Sequence, residues 1–231
     1  MHFEWNEKIK AWFVDASEYT GYEKKLADTI FPHIKNCETL CDMGCGMALT
    51  DFALADRLKE ITCVDLSEGA VNYVNQRAKE SGVDNIHAFV SDGISWEGTY
   101  DAVMSLYSAP VEAVCDNYFS KALKKLIIVT HDTASIKNVP YAVKKCSNVE
   151  DTSDWLEHNG YNFELERHCL DFSQPHRSFE EAVDYTRTFT HGAPEEEIEE
   201  ITRSRIVETG DPVFPYRTPK TRHFGLFVIS K

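Results

Sequence analysis

The stretch Thr39-Leu-Cys-Asp-Met-Gly-Cys-Gly-Met-Ala48 decides the fold. Its short apolar run ending in Asp42 predicts a buried strand, then a tight glycine turn and a helix from about Met47. Gly44 and Gly46 carry no Cβ, so the chain can turn sharply and a ligand can come close to the backbone. A helix that begins just after such a turn presents unpaired N–H groups to a ligand's polar end. A dinucleotide fingerprint would read G-x-G-x-x-G/A. Its third position here is Leu49, too large for close helix–strand packing, and Asp42 sets a negative charge near any pyrophosphate. On this stretch alone, an ordinary strand–turn–helix in some other α/β protein is the alternative.

A cationic ligand reverses the electrostatic objection. The segment resembles motif I of the class I S-adenosylmethionine (SAM)-dependent methyltransferases, usually D/E-x-G-x-G-x-G, with Ala48 in place of the last glycine. SAM carries a sulfonium and an ammonium and no phosphate, so a carboxylate beneath the turn suits it. The resemblance implies that Asp42, Gly44, Cys45 and Gly46 line the cofactor.

Further features follow in the order this resemblance implies. Ile61-Thr-Cys-Val-Asp65 reads as the second strand, and Asp65 lies 19 residues beyond Gly46. An acid at that strand end can accept from both ribose hydroxyls, because two adjacent hydroxyls each donate to one carboxylate. Leu66 would flank the adenine, and Ser67 caps a helix over Glu68–Ser81 that Gly82 stops. Ile86–Val90 is the third strand. In the family an acid after it accepts from the adenine amino group, which implies that role for Asp92, with Gly93 letting the backbone approach the ring. Asp-Gly is also a common loop pair.

The fourth strand, Tyr100–Tyr107, runs into Ser108-Ala-Pro110 and resembles motif IV, whose strand end faces the transferred methyl. That position implies a cofactor contact for Ser105, while Asp101 reads as structural. The N/D-P-P-Y/F signature of many amine and nucleic-acid methyltransferases is absent, with Ser105-Leu-Tyr-Ser108 in its place. A helix over about Val111–Lys124 and a fifth strand over Leu126–Thr130 follow, then His131-Asp132.

Strand and helix alternate through five strands, which predicts an α/β fold with a doubly wound, mostly parallel sheet and ligands at the strands' carboxyl ends. A helix over about Asp151–His158, a sixth strand over Tyr161–Phe172 and a seventh over Arg222–Ser230 complete a seven-stranded sheet. In the family this last strand is antiparallel. The resemblance spans roughly residues 36–172 and 222–231 of a single domain over 1–231.

Two segments lie outside it. Residues 1–36 read as an N-terminal helical lid, with Trp5, Ile9, Trp12 and Phe13 at helical spacing, a polar hinge over Asp15–Gly21 and a second helix over about Tyr22–His33. By resemblance Tyr19 or Tyr22 would touch SAM; aromatic packing on the sheet edge is the alternative. Residues 173–221 read as a helical insert forming a substrate cap. Ser178-Phe-Glu-Glu181 is a capping box, and Pro194-Glu-Glu-Glu opens a second helix with Arg203 and Arg205 near its end. Strand ends four to six and this insert would enclose the acceptor, with Tyr107, His131, Asp132, His176 and His191 as candidate polar groups. Each has a structural alternative: a strand-end hydrogen bond for His131, a surface loop for His176 and His191.

The net charge of −14 argues against non-specific nucleic-acid or anionic-membrane binding, and the 42% hydrophobic content fits a globular domain. No apolar run is long enough for a bilayer and no signal peptide is visible, so the expected location is cytoplasmic. Seven cysteines are an odd number and do not suggest a disulfide scaffold. Cys37, Cys41 and Cys45 lack the C-x3-C-x2-C spacing of radical-SAM clusters, and no metal spacing appears elsewhere. The expected activity is methyl transfer from SAM to N, O or S of a small-molecule acceptor. An RNA or protein methyltransferase, or a non-catalytic SAM-binding sensor or partner protein, are the alternatives. The oligomeric state is left open.

Overall fold

The computed structural model describes residues 6–132, 148–190 and 192–231. Helices α1 (Glu7–Thr20) and α2 (Tyr22–Ile34) precede β1 (Thr39–Met43), α3 (Leu49–Leu54), β2 (Glu60–Asp65), α4 (Glu68–Ser81), β3 (Ile86–Val90), β4 (Tyr100–Leu106), α5 (Val111–Tyr118) and β5 (Ala122–His131). Then come α6 (Val149–His158), β6 (Phe163–Asp171), β7 (Gln174–His176), α7 (Phe179–Phe189), α8 (Ile198–Arg205), β8 (Val207–Glu208), β9 (Tyr216–Thr218) and β10 (Thr221–Ser230). Among the described residues no helix is long and apolar enough to cross a membrane, and no group of three or more His, Cys, Asp or Glu could hold a metal ion.

The main sheet has the order β3-β2-β1-β4-β5-β10-β6, with β10 antiparallel to both its neighbours. Strands β1, β2, β4 and β5 are near-continuous apolar runs because helices cover both of their faces. One core layer gathers Leu40, Ile61, Met104 and Phe224 with the N-terminal helices, and the other gathers Cys41, Val64, Val103 and Phe227 with α5 and α6. The expected doubly wound sheet and antiparallel last strand are therefore present. The chain runs outward β1-β2-β3, then returns to lay β4 and β5 on the other side of β1. That reversal opens a crevice at the carboxyl ends of β1 and β4, the place where such sheets bind ligands.

Some boundaries differ from the sequence reading. The polar hinge over Asp15–Gly21 is helix up to Thr20, with the break at Gly21 in the left-handed conformation. Its small residues Ala16, Ser17 and Thr20 are buried, so polarity there reflects close packing and not a loop. The helix after β1 is short and continues as a 3-10 turn over Ala55–Arg57. The chain leaves α5 through a second such turn and β5 begins at Ala122, not Leu126, because pairing with β4 claims Ala122 and Lys125.

The insert contains both expected helices. It also contains an unexpected antiparallel sheet, β7-β9-β8. This unit is joined to α1. Trp12 packs edge-on against Tyr185 at 5.4 Å and its Nε1 donates to Glu181 at 3.2 Å. Arg177 donates two bonds to the Asp15 carboxylate, at 2.6 and 2.8 Å. Tyr19 meets Phe214 at 6.0 Å.

Candidate functional site

The loops after β1 and β4 face each other across the crevice. Gly44 has φ +83, and a Cβ there would sit 2.4 Å from Ser108 Cβ. The close approach expected of a ligand at Gly44 is thus made by Ser108. Ser108 Oγ in turn donates to the Met43 carbonyl at 2.8 Å and pairs with Ser105 Oγ at 2.6 Å. Ser105 is buried in this brace, where it holds the β4 end against β1. Gly44 and Cys45 donate their N–H groups to the Val64 carbonyl, fixing the loop to β2. Ala48 then enters α3 at φ +52, in the left-handed region, at the position where the motif I pattern carries glycine.

Asp65 organises the loop from the end of β2. Its Oδ2 accepts from Gly46 N and its Oδ1 from Ser67 N, both at 2.8 Å. An ionised carboxylate offers about four acceptor sites, so each oxygen keeps capacity for a further donor. Leu66 beside it is 58% exposed, and Val90 and Ile94 are exposed as well. Asp92 is also exposed, with Oδ1 taken by the Ser95 N–H and hydroxyl at 2.8 and 2.7 Å; these bonds hold its carboxyl below the usual range. The space beside Gly93 is occupied by Tyr118, whose hydroxyl would lie 2.9 Å from an added Cβ.

Beneath the loop lies an acidic group larger than the sequence reading foresaw. Asp42 and Asp51 are fully buried, and Asp42 Oδ1 and both Asp51 oxygens accept no hydrogen bond from a surrounding donor. Burial, and then the charge of Asp51, pushes Asp42 well above the usual carboxylate range. Burial pushes Asp51 up to about 7. Glu23 of α2 is buried nearby, bonded by Thr50 Oγ1, and is also raised by burial. Cys45 and Cys63 border the group, and the hydrogen bond with Cys45, then burial, pushes the Cys63 thiol up. Uncompensated buried carboxylates are costly, so such a site holds protons or awaits a cation.

At the end of β4, Tyr107 takes φ +57 and its hydroxyl meets the Tyr22 hydroxyl at 2.7 Å. Burial raises both phenols, so both keep their protons. The Tyr107 ring lies 4.4 Å from that of His131 at a 31° tilt. Arg222, the second residue of β10, lays its guanidinium 3.5 Å from the centre of the Phe172 ring. Tyr22, Tyr107 and His131 are therefore brought together, whereas Tyr19 points to the insert.

The other candidates lie elsewhere. Asp132 is paired with Arg167 at 2.6 Å. His176 is not a surface residue: it is fully buried in the insert, bonded to Thr218 Oγ1 at 2.8 Å, and burial pushes it down to about 4. His191 falls outside the described residues. Asp101 is structural, accepting from Glu38 N at 2.7 Å and pairing with Lys124 at 2.9 Å. A cleft of about 310 Å³ lies between the α1–α2 turn and α3, but its lining, which includes Ser17, Gly21, Phe52 and Arg77, takes nothing from a strand end.

Glu23, Asp51 and Arg222 were missed in the sequence. Two signals were available. Asp51 interrupts an otherwise apolar helix start, and strand parity places Arg222 on the inward face of Phe224, Leu226 and Val228.

Residues 40–132 match the family model described as a methyltransferase domain. No curated protein matches the chain significantly. Among solved structures, the YcgJ protein of Bacillus subtilis superposes with a TM-score of 0.57 at 15% identity, over 90% of this chain and 98% of that one. Magnesium protoporphyrin IX methyltransferase from Synechocystis, with bound SAM, gives 0.52 at 16% identity over 98% and 86%. A geranyl diphosphate methyltransferase in complex with SAM gives 0.54 at 15% identity over 97% and 91%. At these identities the likeness is one of fold.

Proposed function

We propose, on the match of residues 40–132 to a methyltransferase-domain model, that this chain is a class I SAM-dependent methyltransferase and transfers a methyl group to N, O or S of a small-molecule acceptor. The observation that carries this reading is the orphaned acid pair under the glycine loop. Asp42 and Asp51 are buried against each other beneath the loop, and Asp42 Oδ1 and the Asp51 oxygens make no hydrogen bond of ordinary geometry, which suits a cation and repels a phosphate.

Asp42 and Asp51 are assigned to the cofactor's ammonium. Asp65 takes the ribose hydroxyls through its remaining lone pairs while holding Gly46 in place. Leu66 covers one adenine face, and Asp92 accepts from the adenine amino group. Gly44, Cys45, Gly46 and Gly93 shape the walls, and Ser105 acts by bracing the β4 turn. Tyr22 reaches the methyl-facing strand end through Tyr107.

When bound, SAM supplies a methyl carbon activated by sulfonium. The chain's task is to align a nucleophile with it and exclude water. The cap formed by residues 6–34 and the insert gives the exclusion, because Trp12, Asp15 and Tyr19 tie the two into one cover. Tyr107 keeps its proton and orients the acceptor. His131, whose ring lies 4.4 Å from that of Tyr107, is assigned the role of accepting a proton where the nucleophile carries one. The acidic charge of −14 weighs against an RNA acceptor.

Calorimetric titration with SAM, S-adenosylhomocysteine and NAD tests the cofactor, with binding of the first two and none of NAD expected. Transfer of labelled methyl from SAM into the small-molecule fraction of a cell extract tests the acceptor class. Label only in protein or RNA would overturn it.

A further inference from the structure

Arg222 stands where the proposed reaction would occur, yet no carboxylate among the described residues lies within ion-pair distance of it. Its guanidinium is packed among rings: Phe172 at 3.5 Å, Tyr22 at 5.0 Å, Phe13 at 5.4 Å and Tyr107 at 5.7 Å. A guanidinium lying flat on a ring keeps its in-plane N–H fork for a planar acceptor. It is half-buried, so a group from solvent can reach that edge.

The Tyr22 and Tyr107 hydroxyls beside it share one hydrogen bond at 2.7 Å in which either can donate. One fixed cation, a pair of hydroxyls and an aromatic wall thus converge. Glu23 is already buried in the same neighbourhood, where Arg222 acts on it. A single positive charge so placed suits a monoanion better than a phosphate dianion.

Resting on the methyltransferase reading, we infer that Arg222 and Tyr107 form the acceptor's anchoring subsite, and that the acceptor is a small molecule bearing a carboxylate beside an apolar or aromatic body.

The test titrates benzoate and its neutral isostere benzamide into the full chain saturated with S-adenosylhomocysteine, following both by saturation-transfer NMR and calorimetry. Benzoate is expected to bind saturably and at least about tenfold more tightly than benzamide, since a charge-assisted bidentate pair is at stake. Arg222→Gln should remove that preference, and Arg222→Lys should keep only part of it. Tyr107→Phe, which deletes one oxygen, should weaken benzoate about three- to tenfold. S-adenosylhomocysteine affinity, measured for each variant, should stay within about twofold. Equal binding of benzoate and benzamide, no binding of either, or an unchanged preference in folded Arg222→Lys would overturn the inference. If S-adenosylhomocysteine fails to bind the parent protein, the methyltransferase reading falls, and the benzoate preference of the unliganded chain then decides the anion site alone.

Discussion

Asp51→Asn separates the cost of the buried acid pair from everything else in the fold. The carboxyl is fully buried, makes no hydrogen bond of ordinary geometry and is pushed from 3.8 up to about 7, chiefly by burial. A folded value above the unfolded one means that the fold binds the proton more tightly than the open chain does. The stabilisation is complete below the ordinary carboxylate range and is lost as pH rises toward about 7. The rise is roughly three units, and each is worth about 1.4 kcal/mol, so the fold loses on the order of 4 kcal/mol across that window. Asp42 shifts in the same direction and extends the loss upward.

Asparagine keeps the shape, carries no titrating proton and brings an amide donor that Asp42 Oδ1 lacks. The variant is therefore expected to exceed the parent by about 1–2 kcal/mol at about pH 5 and by up to about 4 kcal/mol at about pH 8, with a flattened pH dependence between. Urea unfolding followed by circular dichroism at both pH values reads this directly. A parent whose stability is flat from about pH 5 to about pH 8, or a variant no more stable than the parent at the upper end, would refute the reasoning.

Asp65→Ala should weaken S-adenosylhomocysteine binding by about 1.5–3 kcal/mol by calorimetry. It should also lower the melting temperature, because the same carboxylate holds Gly46 N and Ser67 N; unchanged affinity in a folded variant would remove Asp65 from the ribose site. Gly44→Ala puts a Cβ 2.4 Å from Ser108 Cβ at φ +83, so a loss of about 1–3 kcal/mol in urea unfolding is expected. Adding Ser108→Gly should recover only the steric part. Trp12→Ala deletes a side chain 3% exposed that joins α1 to α7, and limited proteolysis should then cut the insert before the sheet; identical cleavage order in parent and variant would show that the two parts of the cap are independent.

What the sequence made legible was whatever repeats with strand or helix period, or sits at a fixed offset from a turn. β1, β2, β4 and β5 are apolar runs too regular to misread, and Asp65 announces itself by falling at a strand end. The small sheet of the insert had no such signal. Its strands are two or three residues long, one contains Pro175, and each pairs only because α1 and α7 hold the chain there. The α1 residues around Ser17 misled for the opposite reason, since small polar side chains mark a loop in isolation and a tight helix contact in place. The inward parity of Arg222 was legible but its contacts were not, because a guanidinium on aromatic rings has no partner that sequence spacing can name.

Backbone strain bears on the same site. Among the described residues, Ala48 and Tyr107 are the non-glycines with positive φ, and one follows β1 while the other follows β4. Each conformation costs an L-residue roughly 1–2 kcal/mol. At Ala48 a buried methyl returns part of that, about 0.8 kcal/mol, by packing in the core. At Tyr107 the compensation is polar and specific: its N–H bonds the Val129 carbonyl at 2.8 Å, its hydroxyl meets Tyr22, and its ring covers His131. A connector with no other duty would carry glycine at such a turn and lose nothing. A tyrosine held there against its backbone preference supplies a ring and a hydroxyl that a glycine cannot, at the crevice where β1 and β4 part. The strain therefore marks this turn, on grounds independent of any motif, as a place where the fold keeps a side chain in spite of its backbone cost.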